Sequence, residues 1–233
     1  MEKRTFFITM LFAIFTHAQE ADRPSSRQVQ VSVHAAYLST WFSGADLGHL
    51  TTQHRSISGQ GFAAGLLIDK AIGAQTGLMH ELWYHNSSLA FPFESDTAAG
   101  SAVLKLNSLR LSPISGYYQR NNIRISAGPF VNMLLTAKVL GTGAQGDPLP
   151  QPDIFGTQDD AQDDAQYLQK FDYGFALGGT YRFPFGASAG IHYRHGFASL
   201  FDNSNSFATD PTGNRRTLKI HQRQLAISVG YQF

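Results

Sequence analysis

The chain has 233 residues, with 18 Lys+Arg against 17 Asp+Glu and no cysteine. The net charge of +1 offers no electrostatic case for nucleic acid, and the missing thiols exclude a disulfide framework and Cys-based metal or redox centres. Charged residues make up only 15%, where soluble domains carry roughly 25%, and Gly (22) and Phe (18) are plentiful instead.

The first element is an export signal. Lys3 and Arg4 precede an apolar run from Phe6 to Phe15, and Thr16-His17-Ala18 places a small residue at the expected cut. That run falls short of the roughly 20 residues a spanning helix needs. Residues 1–18 therefore read as a cleaved signal peptide, 19–28 as a short N-terminal segment, and 29–233 as one domain. Cleavage removes Lys3, Arg4 and Glu2, leaving 18 − 2 = 16 basic and 17 − 1 = 16 acidic residues. No Cys stands at the cut to carry a lipid anchor.

From there the signal is period-two alternation, the mark of a strand with two different faces. Eight runs show it. They are Val29–Tyr37, Phe62–Ile68, Ile72–Tyr84, a less regular stretch within 102–119, Ile123–Val139, Phe171–Phe183, Phe185–Tyr193 and Leu225–Phe233. Pro113 in the fourth suggests a bulge. The connections at Asp69–Ala71, Arg120–Asn122 and Pro184–Gly186 are tight. Those at 43–57, 88–101, 141–166 and 202–216 are long and polar. Short and long joints in alternation define an antiparallel up-and-down meander with its long loops at one end. Transmembrane barrels have this asymmetry, with short periplasmic turns and long extracellular loops.

A soluble barrel also alternates, so the second face decides. It reads Ser126, Gly128 and Asn132, then Gly174, Ala176, Gly178 and Thr180, then Ser188 and Gly190. A water-facing surface would be rich in Lys and Glu. A small, Gly-rich face suits the crowded lumen of a narrow barrel. The aromatic face then meets lipid, with Tyr37, Tyr84, Tyr181, Phe183, Tyr193, Tyr231 and Phe233 near run ends, where interfacial girdles belong. The expected fold is all-β: an eight-stranded antiparallel transmembrane β-barrel with four long extracellular loops, in a Gram-negative outer membrane. Val29–Tyr37 is expected to pair with the last strand.

Several stretches, taken in order, resemble the small PorT-like outer-membrane barrels common in Bacteroidetes. These are GFAAGLLIDKAIGAQTGLMHELWYH, LNSLRLSPISGYYQRNNIRISAGPFVNMLL, KFDYGFALGGTYRF, IHYRHGFASLFD and the terminal VGYQF. In the fourth, Tyr and Arg stand in swapped order. The resemblance implies the membrane and the barrel but little about activity. It also implies that the aromatic end, Tyr231 and Phe233, is what the membrane-insertion machinery reads.

Candidate chemistry is sparse. Gly141–Gly146 spells G-x-G-x-x-G, but Asp147-Pro148-Leu149-Pro150 follows where a phosphate-binding helix must start. Asp159, Asp160, Asp163 and Asp164 are the metal candidates. They lack the EF-hand's Gly and Glu positions, and a solvated acidic loop is the favoured reading. His80-Glu81-Leu82-Trp83-Tyr84-His85 is one residue too long for H-E-x-x-H, and on a strand His80 and Glu81 point to opposite faces. No G-x-S-x-G appears, although His34, His192 and many Ser residues keep a rim enzyme acting on lipid or peptide open. The inward charges, Glu81, Arg124, Asp172, Arg182 and Arg194, with Asp69, must pair inside the lumen, which favours a salt-bridged plug over a wide pore. No cofactor is expected. The expected partners are outer-membrane lipid, the insertion machinery, and an unnamed extracellular protein or glycan. Contact with such a partner would run through the loops, within which Trp41, Phe42, Phe91, Phe93, Phe155 and Phe207 are apolar enough to make it; the alternative is that these aromatics belong to the outer interface girdle. The leading reading is a non-enzymatic structural or surface-interaction barrel; the alternatives are the rim enzyme and narrow solute passage.

Overall fold

A computed structural model describes residues 29–47, 57–95, 98–143, 164–202 and 219–233. The expected signal peptide and the 19–28 segment lie outside them. Eight strands follow one another: β1 (Val29–Ser43), β2 (Ser58–Ala71), β3 (Thr76–Ser95), β4 (Ala98–Arg120), β5 (Ile123–Gly143), β6 (Phe171–Arg182), β7 (Ala187–Gly196) and β8 (His221–Gln232). Each pairs antiparallel with the next. β1 pairs with β8 from Ser32↔Gln232 to Ser43↔His221, closing the barrel. Closure leaves no open sheet edge, which is what hydrocarbon demands of a backbone.

The outer face is apolar for the reason the alternation implies. Val33, Tyr37, Phe62, Ile125, Tyr173, Leu177, Ile191, Ile227 and Val229 are all exposed on it. At the short-turn end, Tyr181, Phe183 and Phe185 contact in series, with ring centroids 5.0 and 5.4 Å apart, and Tyr231 meets Phe233 at 5.4 Å. Towards the long-loop end, Trp41 lies 6.3 Å from Tyr193, and Tyr173 lies 6.2 Å from Phe197. Nearby, Asn107 donates to Thr136 at 2.8 Å and accepts from Asn86 at 2.6 Å, a polar ladder on the outer face. Lys105 and Lys138 stand opposite each other one step beyond it.

The structure moves several expected boundaries. β2 runs through Asp69–Ala71, and the turn falls at 72–75, so Asp69 is a buried strand residue. The stretch 88–101, expected as a long loop, is paired strand up to Ser95↔Ala98, so the barrel has three long connections and one extended hairpin. The alternation predicts one phase for β5 from Ile123 to Val139. Its inward and outward sets exchange at Leu135, the extra residue between the Asn107↔Thr136 and Ser108↔Leu134 pairs, so Ala137 and Val139 point inward. The expected irregularity at Pro113 is present, since pairing with β5 breaks between Leu111 and Gly116. Trp41 and Phe42 lie on β1 rather than in a loop, and Phe42 is buried. Phe155 and Phe207 lie outside the described residues.

Inside, the buried apolar residues form two clusters. One holds Leu38, Leu67, Met79 and Trp83. The other closes the long-loop end with Phe42, Leu89, Leu104, Leu106, Tyr167, Leu168, Phe201 and Ile220. Leu104 and Leu106 reach that cluster because they share the inward phase of Arg110 and Ser112, which β4 keeps until the irregularity at Pro113.

Candidate functional site

The interior is organised in levels, read from the short-turn end. At the first, Asp69 on β2 is 2% exposed and is held by two arginines. Arg124 donates to its two oxygens at 2.8 and 3.3 Å, and Arg182 donates at 2.8 Å. Register explains the amides around them: Gln30 stands opposite Asp69, and Gln119 opposite Arg124. Arg124 also donates to Gln119 at 3.3 and 3.0 Å, and Arg182 to Gln30 at 2.9 Å. The Arg124 guanidinium lies 3.8 Å from the centre of the Tyr117 ring, a cation–π contact. A cavity of 520 Å³ opens outward from this triad, and one of 190 Å³ runs beside it from the Pro184–Ala187 turn to His34 and His192.

At the second level Trp83 is fully buried, across the middle of the lumen. Its indole N–H donates to Glu81 at 2.8 Å, and Arg110 donates to the same carboxylate oxygen at 3.3 Å. Arg110 and Arg194 flank the ring at 5.5 and 5.6 Å. His34, His85 and His192 surround it with centroids 6.0, 6.4 and 6.5 Å away. Arg194 donates to His85 at 3.3 Å and also to Gln224, which donates to Thr40 at 3.0 Å. A 20 Å³ cavity beside Arg110 and Arg194 is large enough for a water molecule.

At the third level Asp172 accepts from the Ala198 amide at 3.0 Å. Beyond it the apolar cluster begins.

The five inward charges read from the sequence thus share the lumen but not one network. Arg124 and Arg182 meet at Asp69, Glu81 pairs with Arg110, Arg194 is held by neutral partners, and Asp172 by backbone. Arg110 was missed because the fourth run lacks a steady phase; its pairing opposite the buried Trp83 shows that it points inward. Of the metal candidates, Asp159, Asp160 and Asp163 lie outside the described residues. Asp164 is buried at the start of a 3₁₀ turn, Asp164–Tyr167, and accepts from the Val139 amide at 2.6 Å, which fastens that turn to β5. Among the described residues no three His, Asp or Glu side chains converge as a metal site. His80 faces outward and bonds the Pro113 carbonyl, while Glu81 faces inward, as a strand requires. Among the described residues, His192 contacts Ser228 at 3.0 Å and His34 contacts Ser32 at 3.1 Å. Both belong to the interior rather than to a lipid-facing rim.

The family model for an outer membrane protein beta-barrel domain matches residues 17–202. The chain belongs to this family. The barrel therefore sits in the outer membrane of a Gram-negative bacterium, with its short turns at the periplasmic end. The match stops before β8, and the pairing of that strand with β1 completes the domain. No curated protein matches the chain. Among solved structures, the barrel is similar to Neisserial surface protein A at 14% identity and TM-score 0.46, covering 87% of this chain and 97% of that one. It is similar to the outer membrane protein OprG of Pseudomonas aeruginosa at 13% identity and TM-score 0.45, covering 91% and 99%. It is similar also to the attachment invasion locus protein Ail of Yersinia pestis at 8% identity and TM-score 0.44, covering 88% and 99%.

Proposed function

We propose that this is a non-enzymatic barrel that displays its extracellular loops to a protein or glycan partner. Within the family we place it with the PorT-like barrels of Bacteroidetes, exported by a signal peptide cleaved after Ala18. The observation that carries the reading is how the loop bases are knitted over the barrel mouth. Gln169 N–H donates to the Leu200 carbonyl at 2.8 Å, Leu200 N–H to Ile220 at 2.7 Å, Asp202 N–H to Tyr167 at 3.0 Å, and Lys219 N–H to the Asp46 carboxylate at 2.8 Å. These bonds cross three separate connections and sit on the apolar cluster that contains Phe42, Tyr167 and Phe201. A mouth built this way costs conductance and gains a rigid base, and binding loops usually stand on such a base. The filled level around Trp83 supports the same reading.

The test compares intact cells carrying the full-length barrel with cells in which Gly-Ser linkers replace residues 144–163 and 203–218. Capture of a surface protein or glycan by the full-length form alone is expected. Both forms should show no large stable conductance in planar bilayers. Equal capture would remove the loops from the function, and a large conductance would favour solute passage.

The end of β8 has an assembly role in this proposal. Phe233 is 77% exposed, packs on Tyr231, and donates its N–H to the Val31 carbonyl at 3.0 Å. One backbone bond and one ring contribute little to a closed barrel. Deleting Phe233 should therefore lower the yield of membrane-inserted protein several-fold while leaving the unfolding midpoint of the purified barrel nearly unchanged. Normal insertion of the truncated chain would refute an assembly signal at that residue.

A further inference from the structure

We propose that the periplasmic mouth of the barrel is a binding site for a carboxylate group presented from the periplasm. This rests on the family topology and is independent of the loop reading above. The 520 Å³ cavity at that end falls within the size range of small-ligand pockets. Its charged lining is Asp69, Arg124 and Arg182, two guanidinium groups against one carboxylate. One positive charge is left over, on side chains that are largely withdrawn from water.

The hydrogen bonds show where an anion would go. Asp69 takes two donors of Arg124 and one of Arg182. Other donors of the two groups go to the neutral amide oxygens of Gln30 and Gln119, at 2.9 Å and at 3.0–3.3 Å. Hydrogen bonds with an ionised partner are roughly twice as strong as neutral ones. A ligand carboxylate that displaces one of these amides replaces a weaker acceptor with a stronger one. It also completes an alternating order, in which carboxylates and guanidinium groups neutralise each other. The donors are preorganised, since Arg124 is stacked on Tyr117 and tied to Asp69 by two bonds, so little side-chain freedom is lost on binding. Gln75, Thr76 and Asn121 on the rim add donors and acceptors suited to the amides or hydroxyls of a peptide or cell-wall fragment.

The experiment uses the full-length barrel folded in detergent and isothermal titration calorimetry. The probes are acetyl-dialanine, its C-terminal amide, and muramyl dipeptide. Acetyl-dialanine should bind saturably and its amide about tenfold more weakly. Gln30→Glu and Gln119→Glu supply an internal carboxylate at the guanidinium edge. They should cost about tenfold or more in affinity while the protein keeps the different gel migration of unboiled and boiled samples that marks a closed barrel. Tighter binding of muramyl dipeptide would point to a wall-derived ligand, and tighter binding of acetyl-dialanine to a protein C-terminus. Absence of binding, equal affinity for acid and amide, or unchanged affinity in both Glu variants would overturn the proposal. So would binding that appears only when residues 19–28 are deleted, because the site would then belong to a carboxylate of the chain itself.

Discussion

Asp69→Asn should destabilise the barrel by about 3–5 kcal/mol, the cost of removing one partner from a buried ion pair. The size follows from burial. An exposed pair is worth about 0–1 kcal/mol, because water already solvates both ions. Here the side chains of Asp69 and Arg124 are 3% and 5% exposed, and Asp69 is shared with Arg182. The asparagine keeps the shape but leaves two guanidinium groups facing each other with only neutral acceptors. Arg182, at 19% exposure, can turn towards the vestibule and recover some hydration, whereas Arg124 is pinned on Tyr117. Adding Arg124→Gln should therefore restore much of the loss, since the trapped charge goes with it. Urea unfolding of the detergent-folded barrel reads both effects. If the single variant unfolds at the wild-type midpoint, water from the 520 Å³ cavity already screens the triad, and the buried-pair description fails.

The barrel was legible in the sequence because its two faces touch different solvents. In β6, Phe171, Tyr173, Phe175 and Leu177 face outward while Gly174, Ala176 and Gly178 face inward, and no internal packing is needed to see it. Legibility was lost where the chain changes phase. Leu135 and the stretch around Pro113 each shift the alternation by one residue, and beyond Leu135 it is Ala137 and Val139 that belong to the interior. Leu104 and Leu106 likewise look like lipid-facing residues until the register is known. Arg110 was hidden for the same reason. The side chains of Glu81, Arg124, Asp172, Arg182 and Arg194 stand on the inner face. Their partners depend on strand stagger: Asp69 and Arg182 are 113 residues apart and meet only because the barrel closes. The loop-base contacts are less legible still, since Asp164 to Val139 or Asp46 to Lys219 follows no period at all.

The glycine-rich inner face has a physical reason that yields the second large effect. Among the described residues, five interior rings each stand directly opposite a glycine: Trp83 and Gly65, Tyr117 and Gly77, Phe130 and Gly174, His192 and Gly178, His34 and Gly230. In each pair a Cβ on the glycine would come within 3.0 Å of the ring. A lumen this narrow holds large rings only by folding them onto the bare backbone of the next strand. Gly65→Val tests this most severely. All three nearest contacts of the added carbon are indole atoms, and the indole is backed by Glu81, Arg110 and Arg194. Overpacking alone costs about 1–3 kcal/mol, and losing the buried ring contacts about 3–5 kcal/mol. With no room to retreat, the larger figure should apply. In a Trp41→Phe background the emission of Trp83 should shift to the red and the urea midpoint should fall. Gly179→Ala, where an added Cβ meets nothing within 4 Å, should change neither. Trp83→Leu combined with Gly65→Val removes the overlap, so the pair should cost less than the sum of the two single changes. Strict additivity would mean that ring and glycine are independent, and the inner glycines would then need another explanation.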